Sequence, residues 1–385
     1  MQSKGLVLSR WAVAAIGATF LVMGLIVSSY GPLLEHLTRR FAVSLPVAGT
    51  TISIHFAGAL VGVLVAMRSM QVLAVRTTVI AATGTVIAGC AGIALAPGWP
   101  AFAAGVFLVG LGFGALVIGL NQAVAYSEGT RRAALLNALN GLYSAGAVAG
   151  PLLVAALARD HFSALFFAAA ALALLLIPPD AGISGRLPVA AGTPGSPTRL
   201  VLIFVAAFVL YVAIENGIAG WMTSHLESTG LLSGTAAVFT SGFWLALAAG
   251  RFGITLVPPR ISEARIVLSA SVVATAALFA ATTGVLAPWA YVVAGFAMAP
   301  IFPTGVVWLA RLYRGDSRAT SWLFPAASVG GIAGPGAIGL VIAGFGVRWT
   351  PAVLAAVALA MCVAFGGAAR TAHSAPRPDT GALRS

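Results

Sequence analysis

Twelve apolar runs, each long enough or nearly long enough to cross a bilayer, set what this chain can fold into. A spanning helix needs about 20 mostly apolar residues. The runs cover roughly 11–33, 46–67, 77–96, 100–124, 133–157, 162–178, 200–225, 234–257, 264–286, 288–310, 319–343 and 350–368. Only 8% of the residues are charged, against about 25% in soluble domains. That is too little charge to cover the surface of a water-soluble enzyme of this length. The alternating pattern of outer-membrane barrel strands is absent. The first run is too long for a signal-peptide core and no small-residue cleavage site follows it, so it is expected to remain a membrane helix.

Counting excludes other classes. The one lysine, Lys4, precedes every apolar run, so no internal loop can supply a phosphate-binding lysine. A built-in ATPase is therefore not expected. No two of His36, His55, His161, His225 and His373 lie four apart, which rules out an HExxH-type zinc site. Cys90 and Cys362 sit alone in apolar runs and read as small hydrophobes rather than a redox pair.

The net charge of +12 has a topological explanation. With both termini in the cytoplasm, the inner segments hold Lys4, Arg10, Arg68, Arg76, Arg131, Arg132, Arg186, Arg199, Arg251, Arg260, Arg265, Arg311, Arg314, Arg318, Arg370, Arg377 and Arg384. The outer loops keep only Arg39, Arg40, Arg159 and Arg348. This asymmetry fits the positive-inside rule with an even number of spans, and it needs no nucleic acid partner.

The stretch Pro178–Arg199, rich in Gly, Pro and Ser, reads as a flexible cytoplasmic linker between two sets of six spans. The sets resemble each other. Gly146, Gly150 and Pro151 in span 5 recur as Gly330, Gly334 and Pro335 in span 11, at a constant offset of 184. Small residues at this spacing allow close helix approach, and the proline bends the span. Duplicated halves are what a rocking, alternating-access carrier needs.

Twelve spans, a central linker and these paired glycine–proline elements resemble the major facilitator superfamily over nearly the whole chain. Gly62 and Arg76 match part of its loop 2–3 motif, with Ala66 near the acidic position, and Gly250-Arg251-Phe252 is the better-kept copy in the second half. Within the superfamily, Asn137 to Gly146 and Tyr211 to Trp221 are similar to the fucose/glucose permease branch. Val117 stands about where that branch carries an acid in span 4, so fucose itself is not the expected solute. The resemblance implies an all-α integral membrane fold of 12 transmembrane helices in two pseudo-symmetric six-helix bundles, both termini cytoplasmic. Its expected parts are residues 1–178, the linker 179–199, residues 200–370, and a disordered tail 371–385.

Ionisable groups deep in a bilayer are costly and mark function by default. Glu215 is the one acid well inside a span. Asn216, Gly217 and Gly220 beside it favour an unwound turn that would offer free backbone groups to a ligand. The alternative is a structural carboxyl bonded to a neighbouring helix. His55 is the one histidine expected inside a span, at about 14 Å from its outer end against about 15 Å for Glu215. Spans 2 and 7 meet near the outer side in the resembling fold, so the two could exchange a proton. For His55 alone, a bond to a backbone carbonyl is the competing reading.

Asn137 and Asn140, at i and i+3, share one face of span 5. In the resembling branch the matching positions carry sugar-binding amides, while the alternative is interhelical glue. The offset of 184 maps them onto Ser321 and Phe324, beside Trp322. One half would then present amides and the other aromatics, and sugars use both. Tyr143, Tyr211, Asn216 and Trp244 complete the candidate substrate site. The glycines and prolines above, with Arg251, form the gating and packing set.

The expectation is a multi-pass carrier in the bacterial inner membrane, a monomer with no cofactor beyond a proton gradient. It moves a small polar, sugar-like solute. Its rivals are a proton-driven exporter of amphipathic drugs or lipids, and a membrane sensor that moves nothing.

Overall fold

The computed structural model describes residues 6–127, 132–180, 182–185, 198–254, 260–313 and 322–374. Twelve α-helices dominate: α1 (Arg10–Phe41), α2 (Leu45–Ser69), α3 (Val75–Ala94), α4 (Trp99–Ala125), α5 (Arg132–Asp180), α6 (Arg199–Ser228), α7 (Ser233–Gly253), α8 (Glu263–Ala280), α9 (Ala287–Met298), α10 (Ile301–Leu312), α11 (Leu323–Phe345) and α12 (Thr350–Ser374). Among the described residues, ten helical stretches are long and apolar enough to cross a membrane. α7 is diluted by Ser, Thr and Gly, and the stretch His161–Ile177 is shorter.

Helix starts follow local chemistry. Ser9 accepts a hydrogen bond from the Ala12 N–H at 3.1 Å, and Thr198 caps Val201 in the same way at 3.3 Å. Ala42, at φ 51°, turns the chain out of α1. Two of the expected spans are joined in α5, which breaks at His161 (φ −134°, ψ 40°). One expected span is divided instead: α9 and α10 part at Ala299 and Pro300. Pro303 has no N–H for the Ala299 carbonyl, and its ring crowds that carbonyl, so the helix cannot run straight there.

The glycine–proline elements occupy matching positions. α1 lies along α5, and α6 lies along α11. A Cβ on Gly146 would overlap the Leu21 carbonyl, and one on Gly150 would meet Ser28 Oγ. In the second crossing, a Cβ on Gly330 would overlap the Val209 carbonyl, and Gly334 sits against Ala213 Cα. These glycines are required because backbone meets backbone. α2 packs on α11 and α5 packs on α7, and under the internal repeat these are the same contact seen twice.

Three expectations change. Part of the expected linker is ordered: β1 (Val7–Leu8) pairs antiparallel with β2 (Ile183–Ser184), with Leu6 and Ile183 buried beside them. The beginning of the linker is thus fastened to the N-terminal segment. α12 reaches Ser374, into the stretch expected as a disordered tail. His55 is also not alone in a long helix. α1 runs past its expected end and takes in His36, stacked on Phe162 at 5.0 Å, and His225, the last residue of the expected seventh run, lies within α6, buried with Nδ1 3.2 Å from the Tyr291 hydroxyl. A helix satisfies its own backbone, so it continues beyond the apolar run that sequence detects.

Candidate functional site

Glu215 lies on α6 about midway along the helix, and α6 is continuous around it. The expected unwinding at Asn216 and Gly217 does not occur. Asn216 Nδ2 donates to the Val212 carbonyl at 3.0 Å, one turn back in the same helix. Gly217 lies beneath Ile338 and Leu354, and Gly220 against Ile52. These glycines let α11, α12 and α2 approach closely; they do not loosen the turn.

The partner of Glu215 is Arg251, from the last turn of α7. Nη2 of Arg251 is 3.6 Å from Oε1 of Glu215, with the side chains 26% and 15% exposed. By its place in the sequence Arg251 counts among the inner-loop anchors. The structure instead turns its guanidinium into the helix bundle, towards the one acid on α6 that sits far from a helix end. Charges withdrawn from water in this way need each other, because an unpaired one carries a large desolvation penalty.

Two phenols flank the pair. Tyr211 precedes Glu215 by one turn and is fully buried against Phe302, with ring centroids 5.9 Å apart. Its hydroxyl lies beside both Glu215 and Arg251 yet completes no hydrogen bond of ordinary geometry. Tyr143, from α5, is within electrostatic reach of the same two charges. The constellation therefore joins helices on both sides of the linker. Trp244 is seven residues before Arg251 on α7, hence on the same face. It is buried, and its Nε1–H has no partner.

Asn140 shares the face of Tyr143 one turn nearer the start of α5. It is exposed, and its Nδ2 donates to the Leu136 carbonyl at 2.9 Å. The side chains of Asn137 and Phe324 lie outside the described residues. Trp322 is half-buried at the start of α11. His55 does not meet Glu215 among the described interactions. It is fully buried, with Nδ1 3.3 Å from the Tyr30 hydroxyl and with Phe56 and Phe113 around the ring. Its Nε2 has no partner.

At the end of the bundle where α1 and α6 finish, contacts between the two sets of helices are tight. A Cβ on Gly31 would overlap the Ala219 carbonyl, and one on Gly49 would overlap the Trp221 indole. Ser53 Oγ donates to the Ile332 carbonyl at 2.8 Å, from α2 to α11. Among the described residues, no three His, Cys, Asp or Glu side chains gather as a metal site.

A family model described as Major Facilitator Superfamily matches residues 16–293. Among solved structures, a D-xylose-proton symporter superposes with a TM-score of 0.76 at 13% identity, over 92% of this chain and 96% of that one. The nucleoside transporter NupG, as a point mutant, gives 0.74 at 14% identity, over 93% and 100%. A bacterial homolog of the human lysosomal transporter Spinster, inward-facing and occupied, gives 0.73 at 14%, over 93% and 96%. At these identities the likeness is one of fold. No curated protein sequence matches the chain.

Proposed function

The chain belongs to the Major Facilitator Superfamily, and from that premise we propose that it is a proton-coupled secondary transporter of a small, polar, sugar-like organic solute. In this reading the ten clear spans, α7 and the second part of α5 make up twelve crossings. Residues 1–178 and 200–370 are the two rocking halves, and both termini face the cytoplasm. The closed end around Gly31, Gly49 and Trp221 is then the outer one.

The observation that carries the reading is the Glu215–Arg251 pair, with Tyr143 brought to it from across the linker. A carboxylate there can take a proton from one side and release it to the other as the halves rock. Its ionisation state decides whether Arg251 is paired, so the proton and the solute site are linked through one guanidinium. The polyhydroxylated cargoes named for the xylose symporter and the nucleoside transporter support a solute rich in hydroxyls. Tyr143, Tyr211, Trp244 and Asn140 supply hydroxyl, indole and amide groups for it. A site built around a half-buried ion pair speaks against a purely apolar drug pocket.

The test is uptake by purified protein in liposomes with an imposed pH gradient. Accumulation of a labelled solute that collapses with the gradient supports the reading. A protein that binds solute but never moves it would be a sensor, and the reading would fail.

A further inference from the structure

Resting on that reading, we propose that the solute carries a single carboxylate, as a sugar acid or other small hydroxy-carboxylate does, and that Arg251 binds it.

Arg251 offers five N–H donors and no acceptor. It meets Glu215 through one contact of 3.6 Å, short of the two-pronged geometry the pair could adopt. The buried Tyr211 hydroxyl lies beside both charges and completes no hydrogen bond of ordinary geometry with either. The five N–H donors of Arg251 exceed the roughly four lone-pair sites of the Glu215 carboxylate. Buried donors are rarely left unpaired, so this guanidinium suits an acceptor-rich solute. A carboxylate accepts at two oxygens and offers no donor.

Charge balance gives the same answer independently. With Glu215 ionised and paired to Arg251, the empty site is neutral. With Glu215 protonated and a neutral sugar bound, Arg251 would be a buried cation without an anion, which is costly. With Glu215 protonated and a carboxylate on Arg251, the loaded site is neutral again. The two half-loaded forms, proton without solute and solute without proton, each hold one uncompensated charge. Only the empty and fully loaded forms are then suited to rocking, which makes coupling obligatory. The proton enters on Glu215, the solute anion enters on Arg251, and both leave together, so each cycle carries no net charge. A phosphate ester fits less well, because it brings about −1.5 to −2 charges to one arginine and one proton.

The test uses matched probes that differ in the carboxylate: gluconate against sorbitol, and glucuronate against glucose, with lactate and glycerate as smaller acids. Thermal stabilisation of the purified full chain reads binding. At least one acid is expected to bind about tenfold or more tightly than its neutral partner, the span of a hydrogen bond to a charged group. Arg251→Gln should abolish that preference. The double variant Glu215→Gln/Arg251→Gln, which carries no unpaired charge, controls for folding. Uptake of the acid into liposomes should follow a pH gradient and ignore a potassium diffusion potential of either sign.

Neutral probes binding as well as the acids, uptake driven by membrane potential, or no binding by any acid would each overturn the carboxylate proposal. Accumulation of a neutral sugar under a pH gradient would do so while leaving the transporter reading intact. Failure of every probe to accumulate would remove both.

Discussion

The indole of Trp221 donates from Nε1 to the Pro335 carbonyl at 3.0 Å, and the same ring fills the space where a Cβ on Gly49 would lie. The bond joins α6 to α11, and the ring presses on α2 from the other side of the linker. Pro335 lies inside α11, and a donor from another helix meets its carbonyl. Closure of this end thus depends on a glycine facing a tryptophan. Gly49→Val should wedge the two sets of helices apart. With Cys90 and Cys362 replaced, a cysteine at Ser53 should then react with an impermeant thiol reagent several-fold faster than it does beside Gly49. Equal rates would mean that this contact does not hold the end closed.

The crossing glycines make a separate claim about stability. Gly146→Leu or Gly334→Val forces a side chain into backbone atoms of the facing helix. Overpacking of this kind costs about 1–3 kcal/mol, and more where backbone must move. Gly84→Ala and Gly366→Ala meet nothing within 4 Å and serve as controls. Thermal melting in detergent should show a clear drop for the first two and little change for the controls. Similar melting for all four would remove the crossing-point role.

The paired strands sharpen the topology. Val7 and Ser184 face each other across the β1–β2 ladder, so the N-terminal segment and the linker lie at one end of the bundle. If that end is cytoplasmic, single cysteines at Ser184 and Ser196 should resist impermeant thiol reagents added outside intact cells. Cysteines placed together at Val7 and Ser184 should cross-link under oxidation. Ready labelling from outside would reverse the orientation.

Much of this architecture was legible because a bilayer leaves few choices: apolar length fixes the spans. The matched glycines announced the two crossings. What sequence hid has a common physical cause, namely that it shows residue types without their neighbours. Asn216 and Gly217 read as a loosened turn because flexibility and close packing call for the same small residues. Arg251 read as an anchor because it lies near the end of its run, although that run, 234–257, already contained it. The long stem of arginine let the charge reach inward to Glu215. His55 and Glu215 matched in depth, but depth carries no azimuth, and His55 turns to Tyr30 instead.

His55 remains a second candidate for carrying the proton, and its surroundings state what it could do. Among the described residues its polar contact is the Tyr30 hydroxyl, within an aromatic wall of Phe56 and Phe113. If Glu215 alone couples, His55→Gln should lower stability through the lost Tyr30 contact, by about 1 kcal/mol. It should still accumulate solute under a pH gradient. Loss of accumulation in a well-folded variant would bring His55 into the proton path.

Glu215→Gln is the decisive substitution. The amide keeps the size of the protonated carboxyl and cannot ionise, so it fixes the site in its proton-loaded form. Arg251 loses its anion, and a buried cation left alone is destabilising by about 3–5 kcal/mol when fully buried. Partial exposure of the guanidinium reduces that penalty. The apo variant should therefore melt lower than the parent, and a carboxylate solute should recover more stability in it than in the parent. Binding should become independent of pH across the range in which the parent responds. Solute exchange across the membrane, which needs only the loaded form to rock, should survive. Net accumulation should disappear, because the empty form can no longer return as a neutral pair and no proton is released. Measured in liposomes with labelled solute on both sides, exchange without accumulation is the expected signature. A Gln variant that still concentrates solute under a pH gradient would show that Glu215 does not couple the proton, and the path would then have to run through His55 or use another ion.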